Sequence, residues 1–354
     1  MIAIAADLHL WPHVWRSVRS LEGDAFRAFD EIVDRILEAP DAEKAFIMAG
    51  DIFDEPKVEG LTLKTFADGM SRLLDAGVKV YHVDGNHDKG KESIPSIHGS
   101  ISLHRNKVAV DGRTVVGLNW MPKEQLRAEL SELPAADILV LHCRMEHLTG
   151  FVEACDISVE EIPDHFSSII AGDIHVTGLE ELENGFCLSP GSPHPCSLSE
   201  TGEHGFWILR GEMPEFQPVR NRKIVRVEIS SDDELDRFRE LLAGYEQFDA
   251  YAPLVEVSYA PEYLGRISDI AEQMSDRVKH LFRRRKTGDS LISGAQAASD
   301  MKEGWKLGLL ESLPFAVDEG KSPELYQLLS TLLAFPPQDK DDNIKEYLEA
   351  YCDS

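Results

Sequence analysis

The segment Ala45-Phe46-Ile47-Met48-Ala49-Gly50-Asp51-Ile52-Phe53-Asp54 sets an apolar run against a glycine and two carboxylates. The run has the length of a buried strand, and the glycine lets the chain turn tightly just before Asp51. The arrangement recurs on both sides. Ile2–Ala6 leads to Asp7-Leu8-His9, and Val78–Val83 leads to Gly85-Asn86-His87-Asp88. Ile138–Leu141 leads to His142, and Ser168–Ala171 leads to Gly172-Asp173-Ile174-His175. Between the first strands, residues 21–39 carry Phe26, Phe29, Val33, Ile36 and Leu37 near helical spacing, and Leu61–Ala76 reads as a second helix stopped by Gly77. Strands alternating with helices predict an α/β layered fold, and in such folds ligands collect at the carboxyl ends of strands.

Five strand ends thus offer carboxylates, imidazoles and an amide. This mixed N/O set suits two divalent ions of intermediate hardness. The tetrapeptide Gly85-Asn86-His87-Asp88 arises by chance in roughly one chain of this length per thousand. Five such motifs in order leave little room for ordinary loop polars. No cysteine has structural-zinc spacing, and Cys143 beside His142 is the only one near a motif.

Further strands are expected at Thr114–Leu118, Phe186–Leu188 and Phe206–Leu209. Beyond Arg222 the pattern becomes strand (Lys223–Ile229), helix (Asp232–Leu242), strand (Leu254–Tyr259) and helix (Ile267–Phe282). Residues 287–320 begin with a Ser-, Gly- and Ala-rich linker. Residues 321–354 read as two short amphipathic helices parted at Pro336-Pro337.

The order of motifs resembles the calcineurin-like metallophosphoesterases. Gly50-Asp51-Ile52-Phe53-Asp54 followed by a helix and Gly85-Asn86-His87-Asp88 is similar to the SbcD-type branch of recombination and repair nucleases, closest to its tailed-phage members. Ser189-Pro190-Gly191-Ser192 and the following Gly205–Leu209 strand extend the likeness, which covers about residues 1–222. The resemblance implies a β-sandwich flanked by helices over 1–222, a small α+β DNA-capping domain over 223–286, a linker over 287–320, and a helical ATPase-binding segment over 321–354. It implies one ion on Asp7, His9, Asp51 and His175, and a second on Asp51, Asn86, His142 and Asp173. His87 would be the catalytic histidine, with Asp54 or Asp88 orienting it. The cofactors would be Mn²⁺, with Mg²⁺ as the alternative, and together the ions would neutralise phosphate and acidify a water. One position departs from the family: Asp173 stands where members usually have histidine.

The implied function is a DNA exonuclease/endonuclease subunit, a homodimer working with an SMC-like coiled-coil ATPase in the cytoplasm. A phosphatase or phosphodiesterase of small molecules and an inactive scaffold for such an ATPase are the alternatives. A net charge of −27 disfavours nonspecific duplex binding and leaves DNA contacts to the metals, to a partner, or to the clusters Arg220, Arg222, Lys223, Arg226 and Arg283–Lys286. Those clusters read equally as solvated faces. No run of 18 apolar residues suggests a membrane span, and the five scattered cysteines suggest reduced thiols. His13, His98, His104, His147 and His194 are expected in loops or on the surface, with His13 and Arg16 placed where DNA would approach. Trp11, Trp15 and Trp120 are expected to pack.

Overall fold

A computed structural model describes residues 1–15, 22–89, 93–146, 155–200, 202–247, 249–278 and 280–285. The expected linker and helix pair over 287–354, and Arg16 and His147, lie outside these residues.

The chain opens with β1 (Ile2–Ala5), α1 (Asp24–Glu38), β2 (Ala45–Ala49), α2 (Gly60–Asp75) and β3 (Lys79–Val83). The short α3 (Ile94–Ile97) and β4 (Ile101–Ser102) follow. Then come β5 (Val108–Val110), β6 (Arg113–Gly117), α4 (Lys123–Glu132), β7 (Ala136–His142) and β8 (Phe166–Gly172). The last strands of this body are β9 (Gly178–Leu182), β10 (Gly185–Ser189), β11 (Gly205–Leu209) and β12 (Pro214–Pro218). Two six-stranded sheets result, ordered β12-β11-β1-β2-β3-β4 and β5-β6-β7-β8-β10-β9. Strands β1 to β4 run parallel, as do β6, β7, β8 and β10.

Alternation along each strand separates the layers. Ile2 and Ile4 of β1 join Ile47, Val83, Val115, Ile138, Val140 and Ile170 in a core between the sheets. Ala3 and Ala5 face the other way, onto Phe29, Ile32, Val33 and Ile36 of α1 and Phe66, Met70 and Leu73 of α2. On the far side Leu126 and Leu130 of α4 cover Leu139 and Leu141. The layered α/β architecture is therefore the one expected, with helices on both outer faces. Helix α4 and strands β5, β9 and β12 were not foreseen. They are short or edge elements, with too few apolar repeats to stand out.

A third, all-parallel sheet follows: β13 (Ile224–Ile229), β14 (Leu254–Tyr259) and β15 (His280–Arg285), ordered β13-β14-β15. Helices α5 (Asp232–Ala243) and α6 (Leu264–Gln273) complete its own core around Ile229, Phe238, Val255, Val257 and Ile267. Ser231 caps α5 by accepting the Glu234 N–H at 3.3 Å, with three acidic residues in the first turn. The expected helix Ile267–Phe282 is corrected. It stops at Gln273, and residues 280–285 form a strand instead. The edge of β14 would otherwise leave its backbone groups unpaired, and pairing with β15 satisfies them. The apolar spacing of Val278 and Leu281 continued the helical period and hid the break.

One member of the basic cluster near Arg222 is also corrected. Arg222 is buried and bonded to Asp24, so it is not a solvated charge free to meet DNA, whereas Arg226, paired with Glu256 at 3.0 Å, is half exposed and Arg220 is exposed. Among the described residues no helix is long and apolar enough to cross a membrane.

Candidate metal centre

The carboxyl ends of β1, β2, β3, β7 and β8 meet at one rim of the two sheets, and each ends in a motif residue. The backbone there is bent hard. Asp7, His9, Asp51 and Asp173 have φ of 50°, 37°, 47° and 84°, a left-handed region that non-glycine residues rarely adopt. Such strain costs of order 1–3 kcal/mol per residue and persists where the surroundings impose it. Its effect is to swing four side chains inward. Gly85 has a different task. A Cβ there would overlap the backbone and carboxylate of Asp51, so only glycine lets the β3 loop close over β2.

The seven ligand-type side chains converge. His9 Nε2 lies 3.1 Å from His175 Nε2 and 3.7 Å from Asp51 Oδ2. His142 Nε2 lies 3.3 Å from Asp51 Oδ2, 3.2 Å from Asn86 Oδ1 and 3.7 Å from Asp173 Oδ1. Asp7 joins Asp51 and His142 with ligand atoms all within 4.8 Å of one another. Asp7 is fully buried, and its Oδ2 has no hydrogen-bond partner. A buried carboxylate oxygen left unsatisfied is costly unless a cation meets it. The donor set fits divalent ions, with Asp51 between two clusters.

Hydrogen bonds behind the ligands fix which imidazole nitrogen faces inward. His142 Nδ1 donates to the Ala49 carbonyl at 2.8 Å, leaving Nε2 toward Asp51. His175 Nδ1 donates to Glu200 Oε1 at 3.1 Å, and Glu200 is held in turn by the Cys196 N–H at 2.8 Å and the Ser197 hydroxyl at 3.1 Å. His9 Nδ1 lies 3.2 Å from Asp54 Oδ1, close enough for an ion pair but without hydrogen-bond geometry. Carboxylates behind ligating histidines orient the ring and raise its basicity. Glu200 was missed in the sequence because it lies 25 residues beyond its partner, in a loop with no apolar pattern.

The expectation that Asp54 or Asp88 orients His87 with its carboxylate is corrected. His87 Nδ1 donates to the backbone carbonyl of Asp54 at 2.6 Å. Asp88 instead accepts three backbone N–H groups, from Ile52, Phe53 and Gly85, at 3.1, 2.9 and 2.8 Å. It ties the β2 and β3 loops together. The His87 backbone N–H donates to Asp51 Oδ1 at 2.9 Å, and the His87 ring meets His9 edge-on, with centroids 5.0 Å apart. A ring nitrogen of His87 lies within 4.8 Å of His9 and Asp51 ligand atoms.

Two other expectations change. His194 is fully buried, and its Nε2 donates to the Leu8 carbonyl at 2.9 Å, so it braces the turn between Asp7 and His9. Burial pushes its pKa down to about 4. Cys143 packs away from the centre against Met145, whereas Cys196 has its sulfur within 4.8 Å of His9 and His175 ligand atoms.

Charges inside the cluster are strongly coupled. Burial opposes ionisation of Asp51, yet hydrogen bonding and charge from His142, with His9, hold it at about 2. Burial works against a charged His142, but Asp51, Asp7 and Asp173 raise it to about 10. Burial likewise opposes a charged His175, and Glu200, Asp7 and Asp51 raise it to about 9. The field that keeps protons on these rings is the field a divalent cation would feel, and the ion must displace them. Metal binding near pH 7 is therefore expected to release protons, and affinity should rise with pH up to about 10. Calorimetry in buffers of different ionisation enthalpy measures this. A release of zero protons per ion would refute it.

Residues 1–176 match the family of calcineurin-like phosphoesterases. The chain carries a calcineurin-like metallophosphoesterase domain. Among curated proteins it is similar to three archaeal proteins named DNA double-strand break repair protein Mre11. The Methanopyrus kandleri protein is 27% identical, over 65% of this chain and 60% of its own length. The Methanococcus maripaludis protein is 26% identical, over 57% and 61%. The Archaeoglobus fulgidus protein is 24% identical, over 92% of this chain and 82% of its own. The chain thus spans about 60% of the length of the first two relatives.

Proposed function

We propose that this chain is the nuclease subunit of an SbcCD-like repair or recombination complex and cleaves DNA phosphodiester bonds with two divalent ions, Mn²⁺ first. The observation that carries the reading is the convergence of seven ligand-type side chains on one rim, with Asp51 common to a cluster with His9 and a cluster with Asp7 and His142. Asp7, His9, Asp51 and His175 would hold one ion; Asp51, Asn86, His142 and Asp173 would hold the other. The ions, when bound, supply charge neutralisation at the phosphate and acidification of a water. The chain's residues do the rest. The Ala49 carbonyl behind His142 and the Glu200 carboxylate behind His175 keep each ring's Nε2 turned inward, and Asp88 holds the two loops in register. His87, with Nδ1 on the Asp54 carbonyl, keeps its other nitrogen for the leaving 3′ oxygen, to protonate it or stabilise its charge. The names of the relatives favour DNA over a small-molecule substrate. Residues 223–286 would cap the DNA, residues 321–354 would bind an SMC-like ATPase, and the subunit would work as a homodimer. The deciding experiment compares Mn²⁺-dependent digestion of linear DNA with hydrolysis of a cyclic nucleotide. Activity on the cyclic nucleotide alone overturns the DNA reading.

His87→Gln is expected to keep its metal content and cleave about 10²-fold more slowly, as loss of a general acid would cause. Loss of an ion from this variant, measured by elemental analysis, would instead place His87 among the ligands.

Asp173 tests the departure from the family. Its carboxyl sits 3.7 Å from His142 Nε2 and 3.6 Å from Arg144 Nε, and burial first, with Asp7 and Asp51, lifts it to about 6. Asp173→Ala should weaken one ion by about 10–100-fold or more, while Asp173→His should stay active with a different metal preference. Unchanged metal affinity in the alanine variant removes Asp173 from the ligand set.

A further inference from the structure

Next to the centre lies a cavity of about 350 Å³ lined by Asn86, Trp120, Lys123, Arg144, Asp156 and Asp173. Two of these are candidate ligands of one ion, so whatever fills the cavity adjoins the reacting group. Its other walls are unusual for a chain with a net charge of −27. Trp120 is only half buried, and the Lys89 ammonium sits 3.5 Å from its ring centroid. The Trp120 backbone N–H donates to the Asp84 carbonyl at 2.7 Å. Asn119 and Asp84 exchange two further bonds at 3.0 and 2.9 Å, fixing this segment to the loop that carries Asn86 and His87. The Arg144 guanidinium is held by Asp156, with Nε and Nη2 at 3.3 and 3.1 Å from its two oxygens, and its Nε also lies 3.6 Å from Asp173 Oδ2. Arginine has five donors in a rigid fork, so this grip aims the group while leaving others for an anion.

An aromatic face with a cation over it, a pre-aimed guanidinium and a lysine, all beside the ion site, match one chemical class: a nucleotide with its phosphate. We propose that this cavity is the nucleotide subsite flanking the scissile phosphate. Trp120 stacks the base on the ring face that Lys89 does not cover, and Arg144 with Lys123 takes the neighbouring phosphate. The proposal rests on the nucleic-acid reading above and adds to it the residues that hold the strand. Stacking on an indole suits any base, so the subsite selects for single-stranded or unpaired nucleotides without sequence preference.

The test is equilibrium binding of a short phosphorothioate-linked oligonucleotide and of an abasic strand of the same length, with metal content measured alongside. The native chain should prefer the base-bearing strand by roughly 5- to 150-fold, the range for one stacked base. Trp120→Ala should abolish that preference by weakening the base-bearing strand alone, and Trp120→Phe should restore part of it. Arg144→Gln should weaken both strands alike and lower the salt slope by about one. An undiminished preference in Trp120→Ala, or loss of an ion from it, overturns the subsite while leaving the nuclease reading intact. A native chain that binds neither strand overturns the nucleic-acid reading and the subsite with it.

Discussion

Asp51→Ala is expected to lose phosphodiester cleavage by about 10³-fold or more and to lose metal from both clusters. Removing a single pre-organised electrostatic group costs about 10²–10³ in rate, and this carboxylate serves two clusters at once. Its Oδ2 stands 3.3 Å from His142 Nε2 and 3.7 Å from His9 Nε2, and its Oδ1 receives the His87 N–H at 2.9 Å. His142 keeps the group anionic far below neutral pH, so its charge is present under any working condition. Asp51→Asn separates two roles. It keeps an acceptor for the His87 N–H, and so the loop, but removes the charge. It should therefore fold as the native chain does and still bind metal poorly. Elemental analysis and Mn²⁺-dependent digestion of DNA are the measurements. Full activity with both ions retained in the alanine variant would sink the shared-carboxylate assignment.

Much of this centre was readable in the sequence because parallel strands impose order. An apolar run ending in glycine and a polar residue marks a strand's carboxyl end, and five such ends must share a rim once the sheets form. Asp7, Asp51, Asn86, His142 and His175 were found in this way. What the sequence hid lies in loops and at edges. Glu200 and His194 act through single contacts across 25 and 186 residues, and no periodicity announces a contact of that kind. The positive φ angles of Asp7, His9, Asp51 and Asp173 are equally silent, since aspartate and histidine occupy ordinary backbone elsewhere. The roles of Asp54 and Asp88 were misassigned for a related reason. Proximity in sequence to His87 suggested a side-chain contact, whereas the tight β3 loop turns the Asp88 carboxylate onto backbone N–H groups and presents His87 to a carbonyl. Strand β15 is hidden in the sequence because Val278 and Leu281 continue the helical period of the preceding helix.

The second large effect concerns the join between the phosphoesterase body and the third sheet. Arg222 is 4% exposed, and its Nε and Nη2 donate to the two oxygens of Asp24 at 3.0 Å each. The same guanidinium donates to the carbonyls of Ala250, at 2.8 Å, and Ala252, just before β14. Asp24 opens α1 and also accepts the Trp15 indole N–H at 3.1 Å. Trp15 in turn packs on Leu254 of β14, beside Leu198 and Ile224. One buried ion pair thus links α1, the loop after His9, the loop before Glu200, and the third sheet. Removing one partner of a buried pair costs about 3–5 kcal/mol when the other charge stays behind unpaired; here the partly exposed Arg27 still pairs with Asp24 and offsets part of that cost. Arg222→Leu is expected to destabilise by somewhat less, about 2–4 kcal/mol, read as a lowered urea midpoint. Asp24→Asn in the same chain should recover part of the loss, since the uncompensated charge is gone. The pH dependence has a definite sign. Burial alone would raise the Asp24 carboxyl, but Arg222, then Arg27 and Trp15, hold it below its ordinary value of 3.8. Its contribution is then complete above about pH 4 and is lost as pH falls through the depressed value. Arg222→Leu should flatten this acid limb as well as lower the plateau. A variant within about 1 kcal/mol of the native chain at pH 7, with an unchanged acid limb, would show that the third sheet is held by its apolar contacts and not by this pair.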